Sequence, residues 1–436
     1  MLKAEHAFFD LTPRVVPADR PSRITIKPLY GHVAFPADSR QLRVQYNRRD
    51  GGPAQRLDFA DQPYRIVDGA LSLELNFRGE GEHMILVSYL NEDGSTREFF
   101  RFRVYSLFED YFVLRPFKGD FHLHSMRSDG QGTPGYTAAR CRQIGFDFMA
   151  LTDHHRYQPS LEAIAEMGKF DLDFRCYPGE EVHPPDNCTH IINFGSSFSV
   201  NDIFREEPDR YRREVKAYAE ALSEVPEAIR QPLASSHWVF DQIRSGGGLA
   251  VFCHPYWEYA GGYYISEELT TETFKYRKFD ALELIGGYNP FEYESNMMQV
   301  ARYEHELAAG NRFPVVGLSD SHGPDGNLFG WYYTVMLAPS VELPDLATAV
   351  REFRAVAVDA PNGERFGIHG DFRLVKFVSY LLREFYPLHD QLCALEGALL
   401  IRALAGDTKA AAEVDALKGS VPDFVERCWG RAAQAI

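Results

Sequence analysis

Histidines and acids of this chain recur in short polar clusters, each following a run of apolar residues. In Gly119-Asp120-Phe121-His122-Leu123-His124 two histidines stand two positions apart, and Asp129 follows in a turn-rich loop. Residues i and i+2 of an extended strand share a face, so His122 and His124 can grip one cation to which the loop returns a carboxylate. Asp153-His154-His155-Arg156 closes the apolar run 146–151. Consecutive polar side chains at the mouth of a core are costly unless they face a ligand or an ion; the alternative is a strand end entering a solvated turn. Glu180-Glu181-Val182-His183 precedes Thr189-His190. Alternation lets only one of the neighbouring glutamates point inward, and an inward carboxylate can bridge two cations, which a neutral imidazole cannot. Cys253-His254-Pro255 and Asp320-Ser321-His322 end two further apolar runs, the second again with i, i+2 spacing.

The elements that must position these clusters are short and apolar. Runs at 146–151, 249–252, 281–285 and 313–318 alternate with helical stretches, the texture of parallel strands buried on both faces. Loops at strand ends of an α/β fold converge on one side and build sites there, so five clusters of His, Asp and Glu predict one multinuclear centre. The first hundred residues read differently. Segments 23–27, 42–46, 71–75 and 100–104 alternate apolar and polar with period two, between turn signals at 50–53, 68–69 and 91–94. The expected organisation is a β-sandwich over 1–113, an α/β metal domain over 114–370 with a mostly polar helical insertion at about 201–245, and a helical extension over 371–436.

Composition excludes other classes. With 45% hydrophobic and 25% charged residues in 436 positions, the chain is neither collagen-like nor wholly disordered. A net charge of −16 repels polyanions at long range, which argues against a coat for nucleic acid or for an anionic membrane. No stretch approaches the roughly 20 apolar residues of a membrane span, and the start lacks an apolar signal core. The six cysteines show no CxxC spacing, and the expected location is the reducing cytoplasm.

The order HLHSMRSDG, LTDHH, PGEEVH, THIINFG, FCHP and LSDSH is similar to that of the polymerase and histidinol phosphatase (PHP) superfamily, in particular its stand-alone phosphoesterases. The resemblance covers roughly 116–337, apart from the insertion. It implies a distorted (β/α)7 barrel with a trinuclear metal site at one mouth. Carried over motif by motif, His122 and His124 would hold one metal with Glu181 and Asp320. Glu181 would bridge to a second metal on His190 and His254, and Asp129, His154 and His322 would hold a third. His155, where many relatives carry an acid, and the additional imidazole His183 depart from the pattern.

Mixed imidazole and carboxylate ligation suits zinc, manganese or iron, so two to three such divalent ions are expected. Metals about 3.5–4 Å apart acidify a bridging water and neutralise charge on a phosphoryl oxygen. The expected reaction is hydrolysis of a small phosphate monoester or diester by a metal-bridged hydroxide, with Asp320 and His155 as catalytic residues. Arg127, Arg156 and His155 are the candidates for phosphate capture; each could instead be a solvated loop residue or a structural hydrogen-bond partner. Asp153 is expected to orient a ligand histidine. Tyr256 and Trp257 would form an aromatic wall or pack in the core, Asp280 and Glu283 are candidates to face the pocket though no spacing requires it, and 205–213 reads as a solvated helix face. The partner is a small phosphorylated substrate, with no extended nucleic acid and no membrane. Alternatives are hydrolysis of a non-phosphate ester or cyclic amide on the same metals, and a non-catalytic ligand-binding protein.

Overall fold

Alternation becomes pleat in the first hundred residues. The structure, a computed structural model, describes residues 2–36, 38–51, 57–58, 64–287, 293–326, 328–363 and 365–431, so the turn signal at 50–53 lies partly outside the described residues. Pro21–Pro28 buries Ile24 and Ile26, and Ala70–Asn76 buries Leu71 and Leu73. The strands pair antiparallel with Ile24 opposite Leu73 and Ile26 opposite Leu71. With Phe9–Thr12 and Arg65–Val67 they make a four-stranded sheet. A five-stranded sheet runs in the order Val15–Pro17, Thr96–Leu107, Gly81–Leu90, Leu42–Arg48, Leu57–Asp58, and only its first pair is parallel. Residues of both sheets share one apolar core, in which Phe9 meets Phe100 and Phe102 edge-on at 4.7 and 5.1 Å. Such aromatic pairs add roughly 0.5–1.5 kcal/mol each to simple burial.

From residue 115 most strands shorten and several become almost wholly apolar. A six-stranded sheet has the order Arg175–Tyr177, Phe148–Ala150, Arg115–Asp120, Tyr332–Ala338, Ala355–Asp359, Gly367–Gly370. A five-stranded sheet has the order Gly179–Val182, Ile191–Phe194, Leu249–Phe252, Ala281–Ile285, Val315–Gly317. Every residue of Phe148–Ala150, Leu249–Phe252, Ala281–Ile285 and Val315–Gly317 is buried, as strands covered on both faces require. Among the described residues these ladders form two mixed sheets and no continuous closed barrel. Two isolated parallel bridges join the sheets, Leu123 with Ser321 beyond the strand ends and His154 with Glu181 inside the strand Gly179–Val182.

The stretch after residue 200 is helical over Val200–Glu206, Pro208–Glu220 and Glu227–Ser245. The last of these helices is more than a polar appendage. Leu233, Trp238, Val239, Phe240 and Ile243 are buried in one core with Phe252, Leu282 and Leu284, an apolar stripe that the polar average of the segment conceals. Contacts divide this mixed α/β chain into two units, Met1–Arg115 with Lys376–Leu392 and Gly419–Ile436, and Pro116–Val375 with Cys393–Lys418. The helices after residue 371 are thereby shared between the units. No helix among the described residues is long and apolar enough to cross a membrane.

Candidate metal centre

Glu181 occupies the centre of the site because its strand, Gly179–Val182, sends successive side chains to opposite faces. Its Oε1 lies 3.0 Å from His190 Nδ1 and 3.3 Å from His254 Nε2. Its Oε2 lies 2.5 Å from His154 Nδ1, 3.5 Å from His183 Nε2, 3.6 Å from His124 Nε2 and 3.8 Å from His122 Nε2. The two oxygens therefore address two different sets of imidazoles. Glu180 faces the other way and is equally buried. It accepts hydrogen bonds from Asn193 Nδ2 (3.0 Å), Val200 N (2.5 Å), Ser199 Oγ (2.7 Å) and Asn201 Nδ2 (3.0 Å), which anchors the start of the helix Val200–Glu206.

Asp320 gathers the HxH pair, its Oδ1 lying 2.9 Å from His124 Nε2 and 3.1 Å from His122 Nε2. The opposite nitrogen of His122, Nδ1, donates to Glu283 Oε2 at 2.7 Å. Glu283 is a buried acid in the apolar strand Ala281–Ile285, and its bond fixes the ring so that Nε2 faces the cluster. His322 Nδ1 donates to the Asp320 carbonyl at 2.8 Å. This leaves His322 Nε2 at 3.3 Å and His154 Nε2 at 3.4 Å from Asp129 Oδ2. His122, His124, Asp129, His154, Glu181, His190, His254, Asp320 and His322 are thus brought into one contiguous cluster, which His183 joins.

The donor set fits divalent cations. His122 Nε2, both ring nitrogens of His124, Glu181 Oε2, His190 Nδ1 and Asp320 Oδ1 are buried without a hydrogen-bond partner among the described residues. They face one another at ion-pair distances rather than in well-formed hydrogen bonds, and so many donor atoms at one point call for a shared positive partner. Burial alone would raise the Glu181 carboxyl, but His190, His122, His154 and His183 outweigh it and hold the group well below the usual carboxylate range. Asp320 is likewise raised by burial but held well below that range by His122 and His124. His155, His254 and Asp320 adopt positive φ values of 58°, 29° and 52°, conformations that cost of order 1–3 kcal/mol each and gather at functional sites.

The loop that returns Asp129 is held by Asp153. Asp153 Oδ1 accepts from Ser125 N (3.0 Å), Ser125 Oγ (3.0 Å), Ser128 N (3.0 Å) and Ser128 Oγ (2.7 Å). This corrects the expectation that Asp153 orients a ligand histidine: its lone pairs are taken up by the loop. A Cβ on Gly130 would lie 2.4 Å from the His124 carbonyl oxygen, so the return is too tight for a side chain.

Above the imidazoles opens a cavity of about 760 Å³, whose lining includes Asp129, His154, His155, Arg156, His183 and His190. Arg127 does not line it and pairs with Glu162 at 2.9 Å. Arg205 does; it is exposed, as expected of 205–213, pairs with Asp202 and donates to the His155 carbonyl at 2.9 Å. The His155 ring lies 4.2 Å from that of His183; burial first, then the charges of His183 and His154, lower it to about 4. Tyr256 is buried, whereas Trp257 lines the cavity with Tyr259 and Tyr264. Asp280 is elsewhere, accepting from Ala250 N at 2.9 Å and pairing with Arg351 at 3.0 Å. Sequence reasoning assigned no role to Arg205, Tyr259 or Tyr264. For Glu283 the available signal was an acid inside an otherwise apolar buried run.

No family model and no curated protein matches the chain. Among solved structures it is similar to a two-domain protein of Bacteroides vulgatus containing a predicted PHP-like metal-dependent phosphoesterase. The identity is 16% over 56% of this chain and 65% of that chain, with a TM-score of 0.39. It is also similar to a candidate metal-dependent phosphoesterase from Bifidobacterium adolescentis, with 20% identity over 48% of this chain and 88% of that one and a TM-score of 0.34. A third is a lesion-specific endonuclease from Pyrococcus furiosus, with 14% identity over 54% and 56% of the two chains and a TM-score of 0.35. The chain spans less than two thirds of the length of the first of these.

Proposed function

We propose that this chain is a metal-dependent hydrolase of a small phosphate monoester or diester, with two to three zinc, manganese or iron ions held by the nine His, Asp and Glu side chains. The observation that carries this reading is Glu181, a buried carboxylate whose two oxygens address separate imidazole sets. Ions bound there supply an acidified water and positive charge toward phosphoryl oxygens. Asp320, kept ionised beside His122 and His124, takes the proton of the attacking water. His155, neutral near pH 7, donates a hydrogen bond to the ester. Arg156 offers forked donors to phosphate oxygens, and Arg205 lines the same cavity while paired with Asp202. Arg127 joins them only by leaving Glu162.

In this reading the N-terminal unit is a β-sandwich, supported by its two alternating sheets and shared core. The strands around the centre are read as the distorted (β/α)7 barrel that the resemblance implies, supported by the bridges Leu123–Ser321 and His154–Glu181 between their sheets. A net charge of −16 and a cavity of about 760 Å³ favour a small ester over an extended nucleic acid. Free cysteines suit a cytoplasmic location.

Elemental analysis after metal-supplemented growth, with a phosphate-release screen over sugar phosphates, nucleotides and model diesters, tests the proposal. At least two ions per chain and release from some of these esters are expected. Fewer than one ion per chain, or turnover confined to carboxyl esters or cyclic amides, would overturn it.

A further inference from the structure

The N-terminal unit holds a cavity of its own, of about 310 Å³, whose lining includes His6, Phe9, Leu11, Arg14, Leu388 and Phe424. Arg14 is 3% exposed. A guanidinium cannot shed its proton to escape such burial, and inside proteins it is almost always paired with an acid. Among the described residues no carboxylate pairs with Arg14. The acids beside the cavity are already engaged, Glu384 by Lys3 Nζ at 2.6 Å and His6 Nε2 at 3.1 Å, and Asp10 by Arg427 at 2.7 Å.

A merely structural role leaves most of this guanidinium unused. Arg14 Nη1 donates to the Glu384 carbonyl at 3.2 Å, at the end of the helix Phe372–Glu384. A helix C-terminus carries only about half a negative charge. The bond occupies one nitrogen, and Nε and Nη2 donate to nothing among the described residues. The backbone that carries them is fixed on both sides. Arg14 N donates to the Cys428 carbonyl at 2.8 Å, and the Arg14 carbonyl accepts from Tyr105 N at 2.9 Å and Tyr380 Oη at 2.7 Å. His6, 6% exposed, likewise has an Nδ1 without a partner among the described residues. The rest of the wall is carbon: Phe9 and Leu11 are buried, and Leu388 and Phe424 are half-buried. One fixed, uncompensated positive fork in an otherwise apolar cavity is the lining of a ligand site rather than of a packed core.

We infer that this cavity binds a small carboxylate with a short apolar chain, its oxygens on Nε and Nη2 of Arg14 and its carbons against Phe9, Leu11, Leu388 and Phe424. A carboxylate matches the planar guanidinium in geometry as well as in charge. The volume, at the lower end for ligand sites, limits the chain to a few carbons. All of these residues belong to the N-terminal unit, so the inference does not depend on the phosphoesterase reading.

The test is calorimetric titration of the manganese-loaded full-length chain with pentanoate, pentanamide and acetate. Pentanamide keeps the chain without the charge, and acetate keeps the charge without the chain. Pentanoate should bind at least about tenfold more tightly than either. Arg14→Met, which preserves an unbranched apolar stem, should lose at least about tenfold of the pentanoate affinity with bound metal unchanged. Leu388→Trp, which fills the cavity and leaves Arg14 in place, should lose as much, and it decides alone if circular dichroism shows Arg14→Met to be unfolded. No binding of pentanoate, an equal affinity for pentanamide or acetate, or a pentanoate affinity untouched in the folded variants would overturn the inference, the last by assigning the carboxylate to the metal ions.

Discussion

Glu180 and Glu181 differ in position by one residue and in task completely. Glu181 shares its charge between two imidazole sets, and Glu180 is filled by four donors from Asn193, Val200, Ser199 and Asn201. Glu181→Gln should therefore lose at least one bound ion per chain and, on the order of a hundredfold, turnover. Glu180→Gln should retain the metals, yet it turns an amide NH2 toward existing donors and should destabilise the fold by about 1–3 kcal/mol. Elemental analysis and thermal melting of both variants check this, and metal loss in Glu180→Gln alone would reverse the two assignments.

At the scale of elements, loops and helix starts deliver what the strands cannot. Asp153 pins the loop 125–128 from the end of the neighbouring strand, and the helix Val200–Glu206 brings Arg205 to the cavity. An ammonium replaces a guanidinium fork poorly. Arg156→Lys and Arg205→Lys should each raise KM for a phosphorylated substrate, on the order of tenfold, with bound metal unchanged. Arg127→Lys should change KM less than twofold, since Arg127 faces Glu162. Steady-state kinetics on metal-loaded variants decide, and an equal rise for Arg127→Lys would move phosphate capture to the other side of the loop.

Over the whole molecule, the N-terminal unit is completed by segments from the far end of the chain. Glu82 is buried and meets Arg49 at 2.5 Å, Arg103 at 2.6 Å and Arg383 at 2.7 Å. Burial alone would raise its carboxyl, but Arg383, Arg49 and Arg103 bring it down to about 2. A carboxyl depressed on folding contributes stability that is complete above the unfolded value of about 4.3. That contribution is lost as pH falls toward the folded value. Thermal melts should thus decline between pH 5 and about 2 in the wild type, and less steeply in Glu82→Gln. An identical slope in the variant would assign the acid lability to other groups.

Local spacing pointed to His122 with His124 and to Asp320 with His322 as neighbours, yet all four lie past the ends of the strands Arg115–Asp120 and Val315–Gly317, and Asp320 has a φ of 52°, so strand alternation is not what sets their directions. Local spacing also made the alternating and the doubly buried strands legible. Contacts between distant segments left no such mark. Glu283 meets His122 across 161 positions, Arg205 reaches His155 from a helix that reads as solvated, and Asp153 serves a loop rather than a histidine. The division of the strands into two sheets joined by single bridges was equally hidden. Periodicity sets which atoms a segment presents, whereas register and burial between segments far apart in the chain set what those atoms meet, and only the folded chain decides that.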